Sequence, residues 1–186
     1  MKCKALFEMI LEELRGTLAK AEEGAIASFL DRITRANRLF LAGTGRSGFM
    51  VRSFAVRLMH LGFTTYVVGD TVTPSITAGD LLILGSGSGE TGSLREMAQK
   101  ARKLDVPIAL VTASPQSTIG KLADVVVSLP APTPKGGQVQ ALPSIQPMGT
   151  LFEQSLLLLL DLVVLRLMER KDIGPEVMFA RHANLE

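Results

Sequence analysis

The sequence predicts an α/β fold, an open parallel sheet with helices on both faces. Three observations carry this. Five short runs, largely apolar along their length, punctuate the chain at 38–44 (RLFLAGT), 63–69 (FTTYVVG), 80–86 (DLLILGS), 107–113 (PIALVTA) and 124–130 (DVVVSLP). Runs of that kind suit strands buried on both faces. Helical patterns lie between them, notably over 47–61 and 92–104, and strand-helix-strand alternation builds a parallel sheet. Two glycine-rich stretches each follow an apolar run and open a helical pattern, as strand-to-helix turns do.

The elements follow in order. Leu6, Phe7, Ile10, Leu11, Leu14 and Leu18 recur at helical spacing, so the N-terminal segment reads as an amphipathic helix. A second helix covers Gly24 to Ala36, which makes residues 1–37 a helical preface to a sheet core at 38–130. Residues 129–149, LPAPTPKGGQVQALPSIQPMG, read as a long Pro/Gly/Gln-rich loop; loops of this length inside a compact domain are uncommon and usually functional. A final helix over 150–170 is apolar nearly all round, which implies burial on several sides or in a subunit interface, and a tail of 171–186 follows. No linker or low-complexity tract divides the chain, and 186 residues is the size of one domain.

Composition narrows the function class. A hydrophobic fraction of 47% with 17 glycines fits a folded domain with a sizeable core. Lys and Arg total 20 against 18 Asp and Glu, scattered along the chain, so the basic footprint of a nucleic-acid binder is missing. Trp is absent and the single Tyr66 sits in a strand-like run, which leaves no base-stacking platform. The lone Cys3 rules out an internal disulfide and fits a reducing cytoplasm. Glu8, Glu12 and Glu13 interrupt the first apolar stretch, which is therefore not a signal peptide. The most lipid-like segment, LLLLLDLVVLRLM at 156–168, is broken by Asp161 and Arg166 and falls short of the ~20 residues that span a bilayer. A soluble, cytoplasmic protein is expected.

The glycine stretches carry the chemistry. GTGRSG (Gly43, Gly45, Gly48) and GSGSGETG (with Gly87, Gly89, Gly92) both hold the G-x-G-x-x-G spacing. Glycine lets backbone turn tightly and approach a ligand, and the helix behind it offers unpaired N–H groups to an anion. The plainer reading gives the glycines only tight turns and lets Ser93 and Glu96 form a capping box. Capping, however, does not need Ser86, Ser88 and Thr91 as well. A dinucleotide fits the first stretch, with Asp70 closing the second strand where a ribose-binding acid would sit. Arg46 inside the fingerprint and the hydroxyls of the second stretch weigh against it. No Gly-Lys-Ser/Thr follows either run, so a Walker loop is excluded. Hydroxyls crowded at a helix N-terminus suit a terminal phosphate.

GTGRSG, GSGSGET and SIQPMGTLFEQ together resemble a sugar isomerase (SIS) domain. QPMGTLFEQ and the closing RHANLE narrow the resemblance to the 6-phospho-3-hexuloisomerase family, over essentially the whole length. The resemblance implies a single SIS domain, with a five-stranded parallel sheet in three α/β/α layers. It implies interconversion of D-arabino-3-hexulose 6-phosphate and fructose 6-phosphate, the second step of formaldehyde fixation by the ribulose monophosphate route. It implies a homotetramer and no metal or organic cofactor; composition already argues against a nucleic-acid or membrane partner. Carried onto this chain, Ser47, Ser86, Ser88 and Thr91, with the backbone at Gly45 and Gly87, would hold the substrate phosphate. Glu153 would be the base, and His182 would complete a site, on its own or a neighbouring subunit.

The residues suit that chemistry. Moving a carbonyl from C3 to C2 takes a proton from one carbon and returns one next door through a cis-enediol. It needs one proton-shuttling group, one group polarising the oxygens and a firm phosphate anchor. Glu153 begins an apolar helix after a long loop, and a ring nitrogen of His182 would move protons between the enediol oxygens. Arg46 would neutralise phosphate or polarise the carbonyl oxygen. Asp70 and Thr73 would line the sugar end, while His60, before Gly62, reads as a last-turn partner of its helix. An NAD(P)-dependent dehydrogenase and a regulatory sugar-phosphate sensor fit parts of the pattern, although residues 1–37 lack the basic patch of a DNA-binding module.

Overall fold

In the computed structural model, which describes residues 2–133 and 143–185, two helices lead into the sheet: α1 (Cys3–Leu18) and α2 (Glu23–Arg35). β1 (Leu39–Gly43), α3 (Gly45–His60), β2 (Thr65–Val67), β3 (Leu81–Gly85), α4 (Gly92–Lys103) and β4 (Ile108–Thr112) follow. Then come α5 (Thr118–Leu122), β5 (Val125–Ser128), the long α6 (Thr150–Lys171) and α7 (Pro175–Phe179). Among the described residues five strands form one sheet in the order β2-β1-β3-β4-β5, each neighbouring pair parallel. The three-layer α/β/α expectation holds. α5 and α7 are additions, each only five residues long.

Pleating divides the sheet's side chains between two cores. Leu39, Leu41, Leu81 and Ile83 join Phe29, Phe54, Phe152 and Leu156 on the α2/α3/α6 side. Phe40, Leu82, Leu84 and Leu110 join Leu94, Ala98 and Ile119 beneath α4 and α5. Every residue of β3 and β4 is buried, which is why these strands read as unbroken apolar runs. The N-terminal edge of the sheet is pinned by Arg38, whose Nε and Nη2 donate to the two oxygens of Asp80 at 2.9 and 2.7 Å. Burial raises the pKa of Asp80, but Arg38 and Thr77 outweigh it and hold the carboxyl below its ordinary value.

α6 buries Leu151, Phe152, Ser155, Leu156, Leu159, Leu160, Val163, Val164 and Leu167. Leu158, Leu162 and Leu165 stay exposed along a further stripe, so the apolar character on all sides is only partly used within the chain. The strand order places the site. From β1 the chain steps outward to β2, then returns past β1 to β3 and continues the other way, so the β1 and β3 turns flank the topological switch point, where parallel sheets bind ligands.

Candidate active site

The β1 turn is built on close backbone approach. A Cβ on Gly43 would lie 2.9 Å from Gly48 Cα, and one on Gly48 would lie 2.8 Å from Gly43 O. α3 therefore starts at Gly45, two residues before the Ser47 that sequence suggests, and Arg46 and Ser47 lie in its first turn. Thr44 precedes it without a side-chain cap bond, and Thr91 stands the same way before α4. Two helix N-termini with unspent N–H groups thus meet the switch point, a standing attraction for an anion. Ser93 and Glu96 lie inside α4, so the capping-box alternative does not form.

The β3 turn folds around its own hydroxyls. Gly89 N donates to Ser86 Oγ at 3.1 Å and Glu90 N to Ser88 Oγ at 3.2 Å. Each serine oxygen accepts, and each hydroxyl keeps a proton to donate. The segment after β4 braces this turn from behind. Thr112 Oγ1 and Ala113 N both donate to Gly87 O, and Ile119 N donates to Gly89 O. Gly89 has φ +63°, and a Cβ there would collide with Ser117. Thr118 N donates to Glu90 Oε1 at 2.6 Å. That bond, followed by the Thr118 hydroxyl, holds the Glu90 carboxyl below its ordinary range.

The two turns and the start of α6 enclose a cavity of about 430 Å³. Thr44, Gly45, Arg46 and Ser47 line one side, Gly87, Ser88 and Thr133 another, and Pro147, Met148, Gly149, Thr150, Phe152 and Glu153 the third. Glu153 sits in the first turn of α6. Its carboxylate is 16% exposed and its Oε2 lies 2.9 Å from Arg46 Nε. One cavity therefore holds a carboxylate, a guanidinium, and a set of hydroxyls and backbone amides, the group types that can respectively move a proton, meet an oxyanion and bind a phosphate.

Eight sequence-selected residues line this cavity or lie in the turns that form it. Arg46, Ser47, Ser88, Glu153, Gly45 and Gly87 line it, and Ser86 supports the β3 turn. Thr91 immediately precedes α4 at that turn. Asp70 and Thr73 do not line it. Asp70 pairs with Arg52 at 3.0 Å, and Thr73 Oγ1 donates to Val67 O at 2.7 Å; both lie around a separate hollow beside β2. His182 is not brought to the cavity of its own chain. It stacks on His60, ring centroids 5.4 Å apart, at the opposite end of α3, and 16 helical residues at about 1.5 Å each separate those ends by roughly 20 Å. His60 is buried, and Arg181 Nη1 donates to its carbonyl at 2.8 Å. Thr44, Thr133 and Met148 were not singled out from sequence. The QPMG turn was the available signal for Met148, a non-glycine residue held at φ +57°. Part of the 129–149 loop, residues 134–142, and the last residue of RHANLE lie outside the described residues. Among the described residues no group of three or more His, Cys, Asp or Glu is placed to hold a metal ion.

Comparison with known proteins settles the relationship. The SIS-domain family model matches residues 32–158. A 3-hexulose-6-phosphate isomerase of Bacillus subtilis is 46% identical over 186 residues, 100% of both chains. The chain belongs to the SIS-domain family, in its 3-hexulose-6-phosphate isomerase branch. A 3-hexulose-6-phosphate isomerase from Mycobacterium gastri is 41% identical over 180 residues, covering 96% of this chain and 88% of its own. A crystal structure of a Methanococcus jannaschii protein, reported as implying 3-hexulose-6-phosphate isomerase function, superposes with a TM-score of 0.84 at 35% identity. It covers 98% of this chain and 99% of that one. Among the described residues no helix of this SIS-domain chain is long and apolar enough to cross a membrane.

Proposed function

We propose that this chain interconverts 3-hexulose 6-phosphate and fructose 6-phosphate through a cis-enediol, with Glu153 as the proton-transferring base. The observation that carries the reading is the shared cavity. It sets a largely buried carboxylate and its guanidinium partner beside the start of α3 and the β3 turn, whose amides and hydroxyls would anchor a phosphate. Ser47, Ser86, Ser88 and Thr91, with the backbone at Gly45 and Gly87, hold the phosphate in this reading. That anchors the substrate at one end, so binding energy far from the reacting carbons positions them. Glu153 takes a proton beside the carbonyl and returns one to the neighbouring carbon. Arg46 turns from the carboxylate to the enediol oxygens as negative charge develops there.

His182 enters as a residue given to a neighbouring subunit, since its own chain's cavity lies at the far end of α3. Exposed apolar stripes support an assembly: Phe7 and Leu11 on α1 are 65% and 57% exposed, and Leu165 on α6 is 57% exposed. The reading is a homotetramer in the cytoplasm, consistent with the lone exposed Cys3. Its place is the ribulose monophosphate route of formaldehyde fixation.

The test is a coupled assay. 3-Hexulose 6-phosphate generated by its synthase is supplied, and fructose 6-phosphate is read through conversion to glucose 6-phosphate. Turnover without added nicotinamide supports the reading. No turnover, or fluorescence evidence of reduced-nicotinamide binding at the glycine turns, overturns it in favour of the dehydrogenase alternative.

A further inference from the structure

α1 carries an acidic side chain that the isomerisation does not use. Glu13 is half-buried on the same face as Leu14, which packs on the core, and Thr17, which is fully buried. Its carboxylate accepts three hydrogen bonds from one short segment far along the chain. Ser144 Oγ donates to Oε2 at 2.8 Å, Ile145 N to Oε1 at 2.7 Å, and Gln146 Nε2 to Oε2 at 3.0 Å. The Ser144 oxygen in turn accepts from Gln146 N at 3.0 Å. Burial pushes the Glu13 pKa up, but the donors from Gln146, Ile145 and Ser144 outweigh it, so the group stays charged below the ordinary carboxylate range.

That segment runs straight into the catalytic turn. Thr150 N and Oγ1 both donate to Pro147 O, at 3.2 and 2.7 Å, and Glu153 N donates to Gly149 O at 3.0 Å. Pro147, Met148 and Gly149 line the cavity beside Glu153. The chain of contacts is therefore continuous from the N-terminal helix, through residues 144–146, to the backbone that carries the base. A carboxylate suits the anchoring role because one group takes a hydroxyl, a backbone amide and a side-chain amide at once.

We propose that Glu13 is a positioning residue for the isomerisation, fixing the Ser144–Gln146 segment and thereby the turn that aims Glu153. The inference rests on Glu153 being the base. Its reach is specific: it bears on the α6 side of the cavity and leaves the glycine turns that hold phosphate untouched. A clasp serving stability alone would loosen both sides together.

The experiment compares the full-length wild-type chain with Glu13→Ala, Glu13→Gln and Ser144→Ala. Hydrogen-deuterium exchange is read at peptides covering 143–153 and 86–94, and kcat, KM and competitive inhibition by inorganic phosphate are read in the coupled assay. Glu13→Ala should speed exchange over 143–153 and not over 86–94. It should lower kcat about tenfold, less than the ~100-fold that a full ~1 Å misplacement of a catalytic group can cost, while inhibition by phosphate stays within about twofold. Glu13→Gln, which keeps one acceptor oxygen, should recover part of the loss. Ser144→Ala, which leaves α1 intact, should move both readouts the same way by a smaller factor and serves if Glu13→Ala does not fold. Unchanged exchange over 143–153, unchanged kcat, or parallel losses in kcat and phosphate inhibition overturn the proposal. The exchange readout needs no turnover, so an inactive wild-type chain would count against the proposed function and leave the Glu13 contact separately decided.

Discussion

Arg46 Nε lies 2.9 Å from Glu153 Oε2, joining the first turn of α3 to the first turn of α6. The carboxylate is mostly enclosed at 16% exposure, while the guanidinium is 57% exposed. The acid is the enclosed partner of this pair and the cation the solvent-facing one.

Removing that cation should cost both binding and turnover. Arg46→Ala should lower kcat/KM about a hundredfold or more, the scale of losing one preorganised charge donor. Arg46→Lys should recover only part, since an ammonium lacks the planar fork. Wild-type kinetics in Arg46→Ala, measured by the coupled assay, would remove Arg46 from the site.

Ser88 tests the phosphate cradle. Its oxygen already accepts from Glu90 N, so its proton is the group left to donate. Ser88→Ala should raise KM and the inhibition constant of inorganic phosphate together by about tenfold, the worth of one hydrogen bond to a charged group. kcat should be little changed. A selective fall in kcat would place Ser88 at the reacting carbons instead.

His60 sets a pH dependence of stability. Burial, then the Arg57 charge and then His182, push its pKa below the ordinary 6.5. Below that value the unfolded chain takes up a proton that the folded chain resists, so stability falls as pH drops. The urea midpoint should decline between about pH 7.5 and 5.5, and His60→Gln should flatten that decline. An equally steep decline in the variant would assign the effect to other groups.

Composite sites have a genetic signature. If His182 acts in a neighbour's cavity, Glu153→Gln and His182→Ala subunits assembled together regain sites with both residues intact. Random mixing restores about a quarter of wild-type activity, by the symmetry of a closed oligomer. Mixtures as inactive as their parents would confine His182 to its place against His60.

The strands and the two anion turns were legible because their signals are local. Leu81–Gly85 is buried throughout and reads as one apolar run, and the glycine spacing survives in the fold because Gly43 and Gly48 must touch. The start of α3 was misplaced because Gly45 and Arg46 read as turn when they are already helix. α5 and α7 span five residues each, too short for a period to declare itself. The Arg46–Glu153 pair, the Glu13 clasp and the removal of Asp70 to Arg52 are long-range pairings, which no local pattern encodes. His182 carried a family signature, yet its position at the far end of α3 emerges only from how α7 folds back toward His60.

Glu153→Gln isolates the proton transfer proposed for Glu153. The amide keeps the shape and loses the base. The coupled assay should show kcat reduced about a hundred- to ten-thousandfold, the range that general-base catalysis supplies, with inhibition by inorganic phosphate retained. Turnover within a few-fold of wild type would show that Glu153 is not the base.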